Sequence, residues 1–245
     1  MEKFKSYEEL SLNAHPALQT EFYDGWALRY ADGYTRRANS VNILYPSTLN
    51  IAEKIAECEK RYTARNLPVV FKITENTCEN LDGILEEKGY AVFTPTNVME
   101  TDLSGANFEP HGSAVFSDYA DREWQNAFFA LSRLTDQTKM CAARRIFANV
   151  NNTVICARII SGGKTVSCGA AVIERGYAGI MNVVMDMDER RKGYGAKVCE
   201  ALLAAAKKTA HTSYLQVEKS NSAAINMYAK LGYKPVYSYL YRVKV

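Results

Sequence analysis

The segment from residue 181 to 208, MNVVMDMDERRKGYGAKVCEALLAAAKK, constrains the fold more than any other part of the chain. An apolar stretch typical of a β-strand ends near Met187, a charged turn follows, and an amphipathic helix begins around Gly193 and Gly195. A glycine turn that opens a helix leaves main-chain N–H groups without helical acceptors, and the helix dipole adds partial positive charge there. The segment therefore predicts a phosphate-binding turn, although an ordinary solvated turn can have a similar composition.

Basic side chains accompany this glycine turn. Arg190, Arg191 and Lys192 immediately precede Gly193. Because glycine has no Cβ atom, a pyrophosphate can approach the main chain closely at Gly193 and Gly195. The pattern thus favours a phosphorylated ligand, but a G-x-G turn alone is weak evidence and needs a second motif.

Strand-like and helix-like segments alternate along the 245 residues, which indicates an α/β or α+β protein. Near the N-terminus we predict one strand over residues 21–31, a turn at Asp32-Gly33 and a second strand over residues 35–44. Residues 48–66 have the apolar spacing of a helix.

The chain reads as two halves with similar organisation. Residues 104–113 are rich in Gly, Pro, Asn and Ser, so we place a linker there, between a domain at 1–105 and a second at 113–245. Residues 71–90 and 215–233 each read as a strand, a polar turn, a helix and a Gly-Tyr stop. This similarity predicts a duplication, although any two β-α-β units look somewhat alike.

Two motifs in the second half resemble those of the GNAT superfamily of N-acetyltransferases. The first is R-x-x-G-x-G, from Arg190 to Gly195, between a strand and a helix. The second lies in residues 215–233, LQVEKSNSAAINMYAKLGY. Its matching positions are Asn221, Ala224, Tyr228, Leu231, Gly232 and Tyr233. The resemblance covers residues 113–245, and two spaced motifs in the right order are far more specific than either alone.

The resemblance implies the fold and the reaction. We expect a tandem GNAT fold, with two mixed, mostly antiparallel sheets flanked by helices and a degenerate N-terminal copy. Acetyl-CoA is the implied acetyl donor, and the group passes directly to a primary amine without a metal. The stretch from Asp24 to Asn42, DGWALRYADGYTRRANSVN, also looks like the N-terminal domain of bacterial two-domain GNAT proteins.

The resemblance assigns the donor site residue by residue. Pantetheine inserts beside the strand that precedes the glycine turn, and the turn holds the pyrophosphate. The implied acyl-CoA contacts are Met185, Met187, Arg190, Arg191, Lys192, Gly193, Tyr194, Gly195, Ala196 and Asn221.

The catalytic groups are less completely specified. In many family members the tyrosine of the second motif, here Tyr228, protonates the leaving thiolate; the alternative is a core tyrosine. Related enzymes carry a glutamate base twelve residues earlier, and that position is Gln216 here. Glu218 points to the same face of the strand, so we predict it as the base, the alternative being a solvated strand end. Gln216 also keeps open a non-catalytic acyl-CoA-binding sensor or regulatory module.

Residues for the acceptor are predicted from polarity and position. Asn182 and Gln216 lie on the strands of the donor site, while Arg37 and Asn39 lie in the first half, where they either line an acceptor cleft or form a polar strand end. In place of a glycine turn, that half reads Tyr45-Pro46-Ser47-Thr48, so we predict that it binds no CoA and that Ser47 or Thr48 caps the following helix.

Composition excludes several classes of protein. With 30 basic and 27 acidic residues well mixed, the chain has no general grip on nucleic acid. No apolar run approaches the roughly 20 residues of a membrane span, and the N-terminus does not read as a signal peptide. We expect a cytoplasmic monomer or homodimer whose partner is a small-molecule or peptide amine.

The six cysteines, scattered without metal-site spacing, are expected to be mostly buried and reduced. They are Cys58, Cys78, Cys141, Cys156, Cys168 and Cys199.

Overall fold

The computed structural model of the chain describes residues 2–75, 77, 80–109 and 112–244. In the described part, the α-helices are α1 (Glu2–Ala14), α2 (Ile51–Thr63), α3 (Leu81–Glu87), α4 (Arg122–Leu131), α5 (Gln137–Ala148), α6 (Tyr194–Ala206) and α7 (Ser222–Lys230). The strands are β1 (Gln19–Tyr23), β2 (Trp26–Tyr30), β3 (Val41–Ile43), β4 (Val70–Thr74), β5 (Ala91–Asp102), β6 (Ala114–Ser117), β7 (Thr153–Ser161), β8 (Lys164–Glu174), β9 (Tyr177–Met185), β10 (Thr212–Glu218) and β11 (Lys234–Val243). A short 3-10 helix spans Met187–Glu189.

The hydrogen-bonded strand order is β1-β2-β3-β4-β11-β5-β10-β9-β8-β7-β6. The expectation of two separate sheets is thereby corrected: the described strands belong to one mixed sheet, in which β11 and β5 are neighbours. Pairing is parallel at β3–β4 and β9–β10. It is antiparallel at β1–β2, β2–β3, β4–β11, β6–β7, β7–β8 and β8–β9, so the mostly antiparallel character is confirmed.

The chain divides into two compact units. The first comprises Met1–Asn97, Glu218–Ser220 and Tyr237–Val245, and the second comprises Val98–Val217 and Asn221–Val236. The change of unit thus falls inside β5 rather than in the polar segment 104–113. The last strand joins the first unit because β11 pairs with β4 there.

The first unit contains a hairpin that the sequence analysis took for one strand. Residues 21–31 do not form one continuous strand, since Asp24-Gly25 makes the turn between β1 and β2. Both turn residues have positive φ, 43° and 82°, as an Asp-Gly hairpin turn requires. The predicted second strand, 35–44, is reduced to Val41–Ile43. The core of this unit lies between the sheet and helices α2 and α3, around Trp26, Tyr62 and Phe71.

The second unit is an antiparallel meander, β6 to β9, followed by a parallel strand. Helix α6 connects β9 to β10 and packs against β7, β8 and β9. Its apolar face, which includes Val198 and Leu202, contributes to a core shared with Tyr228 and Leu231 from the α7 region. This arrangement places the start of α6 beside the end of β9.

Each half of the sequence contains the same order of elements around a parallel strand pair. The order is β3–α2–β4–α3–β5 in the first half and β9–α6–β10–α7–β11 in the second. In both cases a helix connects the two parallel strands. This order supports duplication, which remains a prediction.

None of the described helices is long and apolar enough to cross a membrane. The expected burial of cysteines is confirmed for Cys58, Cys156, Cys168 and Cys199, whereas Cys141 is exposed. Cys78 lies outside the described residues.

Candidate functional site

The main-chain N–H groups at the start of α6 are open. Gly193 is the N-cap of the helix, with φ 81°, and no side chain caps it. Across the described residues, the N–H groups of residues 190–196 donate no hydrogen bond, and the first one used is that of Lys197, to Gly193 O at 3.0 Å. A helix start with unsatisfied N–H groups and a positive dipole end suits an anion.

Side chains from the β7–β8 hairpin hold the first turn of α6. Ser161 Oγ lies 2.9 Å from Tyr194 Oη, and Ser167 Oγ donates to Tyr194 O at 3.0 Å. Behind the turn, a Cβ atom at Gly195 would lie 2.5 Å from Met185 Cε, so a larger residue there would displace the end of that methionine side chain. The turn is therefore fixed from β7, β8 and β9, and the Tyr194 side chain has a structural role in it.

The cations of the turn are not equivalent. Lys192 Nζ forms an ion pair with Glu189 at 2.8 Å. Its charge is thus partly compensated. Arg190 and Arg191 are exposed and form no ion pair with a described residue. These two guanidinium groups are the free positive charges beside the open N–H groups.

An acidic residue closes the other side of the turn. Asp186 accepts the Asp188 N–H, and its carboxylate forms an ion pair with Lys164 at 3.1 Å. These two contacts hold the pKa of the Asp186 carboxyl below its usual range. The carboxylate therefore keeps its negative charge within this local network.

Strands β9 and β10 pair only over their first residues. Their register runs from Tyr177↔Thr212 to Ile180↔Leu215 and then stops. From residue 181 onward, β9 thus presents an edge that is not paired with β10. Met185 ends this strand, and Met187 follows with 39% of its surface exposed. The free edge leads directly to the start of α6.

Asn182 lies at the point where the strands separate. It has φ 55°, and its Nδ2 donates to Tyr119 Oη at 2.9 Å. Gln216 on β10 directly follows Leu215, the last residue paired with β9, and is half-buried. Both predicted polar residues thus lie just beyond the paired part of the two strands, and Asn182 is held by Tyr119, which no sequence motif indicates.

Tyr228 lies on α7 and is 7% exposed. Its ring contacts Tyr233 edge-on at 5.8 Å, and burial raises the pKa of its hydroxyl well above the usual value. Its hydroxyl makes no hydrogen bond to the residues that the structure describes, in contrast to Tyr233, whose Oη lies 2.6 Å from Ser213 Oγ. The group is protonated at neutral pH and has no partner in the described protein.

Asn221 and Glu218, the other two predicted site residues of this region, each lie at the end of an element. Asn221 is the N-cap of α7, where its Oδ1 accepts the Ala224 N–H at 3.1 Å, so its side chain has a structural function. Glu218 is the exposed last residue of β10 and is grouped with the first unit.

The first unit holds the two residues that were predicted to line an acceptor cleft, and for Asn39 this expectation is corrected. Asn39 is 3% exposed, and its amide bonds only loop main chain, including Ala31 N at 2.8 Å and Tyr34 O at 2.9 Å, so it cannot line an acceptor cleft. Arg37 is half-buried, and its carbonyl accepts a bond from Arg29.

The predicted helix cap is also wrong. Neither Ser47 nor Thr48 caps α2; Asn50 does, accepting the N–H groups of Ala52 and Glu53. Thr48 instead donates to the carboxylate of Asp24 at 2.7 Å.

Among the described residues, no group of three or more His, Cys, Asp or Glu side chains is arranged to hold a metal.

Comparison with known proteins was made by sequence and by structure. The sequence model of the family described as "Probable histone acetyltransferase Rv0428c C-terminal" matches residues 3–242. The chain is 26% identical over 249 residues to the uncharacterized N-acetyltransferase YobR of Bacillus subtilis (strain 168), and the match covers 100% of each chain.

Solved structures show the same fold. A GCN5-related N-acetyltransferase from Kribbella flavida has a TM-score of 0.71 at 16% identity, covering 98% of this chain and 95% of that one. A tandem GNAT protein from the clavulanic acid biosynthesis pathway has a TM-score of 0.65 at 12% identity, covering 97% and 86%. Because the family match spans nearly the whole chain, the protein belongs to the Rv0428c C-terminal acetyltransferase family and is an N-acetyltransferase of the GNAT type.

Proposed function

We propose that the chain transfers an acetyl group from acetyl-CoA directly to a primary amine of a small molecule or peptide. The observation that carries this proposal is the run of open N–H groups at residues 190–196, beside the unpaired edge of β9. An anion site that adjoins a free strand edge suits a ligand in which a pyrophosphate is followed by an amide-containing arm.

The donor would lie along these two features. The N–H groups from Arg191 to Ala196 hold the pyrophosphate, and the free guanidinium groups of Arg190 and Arg191 add charge-assisted contacts. Pantetheine amides pair with the main chain near Met185 and Met187, and Met187 is exposed enough to cover an apolar arm. Asn221, which fixes the start of α7, and Lys192 lie at the margins of this site.

The chemistry is attack of a neutral amine nitrogen on the thioester carbonyl carbon. An amine with an ordinary pKa of about 10.4 must first lose a proton, and we propose that Glu218 accepts it, directly or through water. The new C–N bond forms as the carbonyl becomes a tetrahedral oxyanion. The C–S bond then breaks as the thiolate takes the hydroxyl proton of Tyr228. The proton that the attacking nitrogen must still lose to become an amide passes back to the Tyr228 oxygen, and no covalent enzyme intermediate forms.

A second candidate is a non-catalytic acyl-CoA-binding module. Gln216 favours it, because a glutamine at the position of a family glutamate cannot act as a base, and Glu218 is an exposed strand end. In this case the donor site would be intact and the acceptor chemistry absent. The first unit, with Arg37 at its surface, would then recognise a partner rather than an amine substrate.

One assay separates the two candidates. Purified protein is titrated with acetyl-CoA by calorimetry, and thiol release is then followed with a broad panel of amines, with mass spectrometry of each amine. We expect binding, and one thiol released for each acetylated amine. Binding with thiol release no faster than the spontaneous rate for every amine would support the sensor instead. A protein that does not bind acetyl-CoA would contradict both.

A further inference from the structure

Strand β9 carries one extra residue relative to β8 at the level where it separates from β10. Cys168 pairs with Val184 and Ala170 pairs with Met181, so Gly169 alone faces both Asn182 and Val183. This is a β-bulge, and Asn182 adopts the left-handed conformation there, with φ 55°. The bulge begins within two residues of Ile180, where pairing with β10 ends.

A left-handed residue other than glycine needs support from its surroundings, because this conformation is unfavourable for L-amino acids. Asparagine tolerates it better than most residues. Here the support is a side-chain bond: Asn182 Nδ2 donates to Tyr119 Oη at 2.9 Å. The bond links the bulge to the segment that precedes α4.

Tyr119 is itself fixed by aromatic packing. It is 5% exposed, and its ring stacks on Phe147 of α5, with centroids 4.6 Å apart and planes 22° from parallel. A second contact is with Trp124 of α4, at 5.2 Å between ring centroids, and Trp124 also contacts Phe147 at 5.6 Å. The hydroxyl that receives the Asn182 amide is therefore held by two helices.

Trp124, on α4, contacts strand β8 at the level of the same bulge. It is fully buried, and its Nε1 donates to Gly169 O at 3.0 Å. Gly169 is the residue that faces the bulge, and a Cβ atom on it would lie 3.1 Å from Leu202 Cδ1 and 3.2 Å from Val183 Cγ2. Two neighbouring aromatic side chains thus hold β8 and β9 at the one level where the ladder is irregular.

We propose that Tyr119 is a positioning residue for acetyl transfer: through Asn182 it fixes the bulge of β9 and so aims the main-chain groups of that edge at the thioester. The inference rests on the proposed function, in which the acetyl group lies beside this edge. Preorganised main-chain donors stabilise a developing oxyanion because they need no rearrangement during the reaction. Tyr119 touches neither substrate, and it acts by holding the strand in place.

The first test is Tyr119→Phe, which removes one hydroxyl and keeps the stacked ring. We expect kcat to fall about tenfold, whereas the Kd for acetyl-CoA changes less than about twofold, since donor binding relies mainly on the turn at α6. The carbonyl 13C resonance of bound, carbonyl-labelled acetyl-CoA, recorded without acceptor, should move toward its position in free solution. A purely structural role would not move this resonance.

A matched control is Tyr90→Phe. Tyr90 is buried in the first unit and donates from its hydroxyl to Glu59 at 2.9 Å, so the variant also removes one tyrosine hydrogen bond. We expect a comparable change in thermal stability, with kcat and the carbonyl resonance unchanged.

A variant of Asn182 keeps the inference testable if Tyr119→Phe is poorly folded, and a double-mutant cycle is measured if it folds. Asn182→Gly removes the amide but accepts the left-handed conformation without strain. We expect it to lower kcat about as much as Tyr119→Phe, and the double variant to lose no more than either single one.

Several results would overturn the inference. Additive losses in the double variant, or a deeper loss in Asn182→Gly alone, would show that Asn182 acts independently of Tyr119. An active wild-type protein with an unaltered Tyr119→Phe variant would overturn the inference and leave the proposed function intact. A wild-type protein that neither binds nor uses acetyl-CoA would overturn both.

Discussion

Tyr228 and Tyr233 belong to the same hydrophobic core but differ in the hydrogen bonding of their hydroxyl groups. Both are buried, and their rings touch at 5.8 Å. Tyr233 Oη lies within hydrogen-bond distance of Ser213, which ties the end of α7 to β10, whereas Tyr228 has no such partner in the described structure. The Tyr228 hydroxyl is thus free to donate its proton to a ligand, as its proposed role in the chemistry requires.

The paired variants Tyr228→Phe and Tyr233→Phe test this difference. We expect Tyr228→Phe to reduce kcat about 100-fold with little change in the Kd for acetyl-CoA, as loss of a general acid does. Tyr233→Phe should cost about 1 kcal/mol of unfolding free energy and leave kcat near wild type. Steady-state kinetics and urea unfolding measure both. Equal turnover in the two variants would remove Tyr228 from the chemistry.

At the scale of elements, helices α2 and α6 begin in opposite ways. The N–H groups at the start of α6 are open, whereas those before α2 are filled by the protein's own carboxylate. Asp24, from the β1–β2 turn, accepts the N–H groups of Thr48 and Leu49 at 2.9–3.0 Å. Lys54, fully buried, forms an ion pair with it at 3.1 Å. This internal anion gives a physical reason for the prediction that the first unit binds no CoA.

The Asp24 contacts should make stability depend on pH. The N–H groups of Leu49 and Thr48, with the Thr48 hydroxyl, hold the pKa of the Asp24 carboxyl well below its usual range. A depressed pKa in the folded state stabilises the protein above the ordinary carboxyl pKa of about 4, and this contribution is lost as the pH falls below it. Asp24→Asn should therefore lower the urea midpoint at pH 7, and the difference from wild type should shrink towards pH 3.

The exposed carboxylate of Glu87, on α3, provides the control. Glu87→Gln should leave the urea midpoint and its pH dependence close to those of wild type. If the Asp24→Asn difference is the same at pH 3 and pH 7, the carboxylate charge does not stabilise the start of α2.

At the scale of the whole molecule, sequence patterns predicted some features and missed others for physical reasons. The start of α6 was predictable because glycines and apolar periodicity coincide there. The Asp24-Gly25 hairpin was missed although its turn signal is present, because Trp26–Tyr30 is buried throughout and continues the strand-like run before it. The pairing of β11 with β4 joins residues about 165 positions apart, for example Tyr239↔Thr74, and no local pattern encodes it.

Some parts of the candidate site were likewise predictable from local sequence, and others were not. The glycine turn where we propose that the donor binds follows from local sequence, since glycine spacing and helix geometry decide it together. Tyr119 and Trp124 lie 63 and 45 residues from Asn182 and Gly169, their partners at the bulge. A one-residue bulge also leaves the apolar character of β9 unchanged. Asn39 looked like a polar strand residue, but it is buried because a loop with left-handed residues at Asp32, Gly33 and Thr35 needs its amide.

The central claim is that acetyl-CoA binds at the start of α6, and a pair of glycine variants tests it most directly. Gly193 and Gly89 have φ of 81° and 82°, and a Cβ atom at either would meet nothing within 4 Å, so valine imposes a similar strain on both. Calorimetric titration should show wild-type affinity for Gly89→Val. It should show binding at least about tenfold weaker, roughly 1.4 kcal/mol, for Gly193→Val, whose side chain disrupts the phosphate-binding turn. Equal, wild-type affinity in the two folded variants would contradict the account.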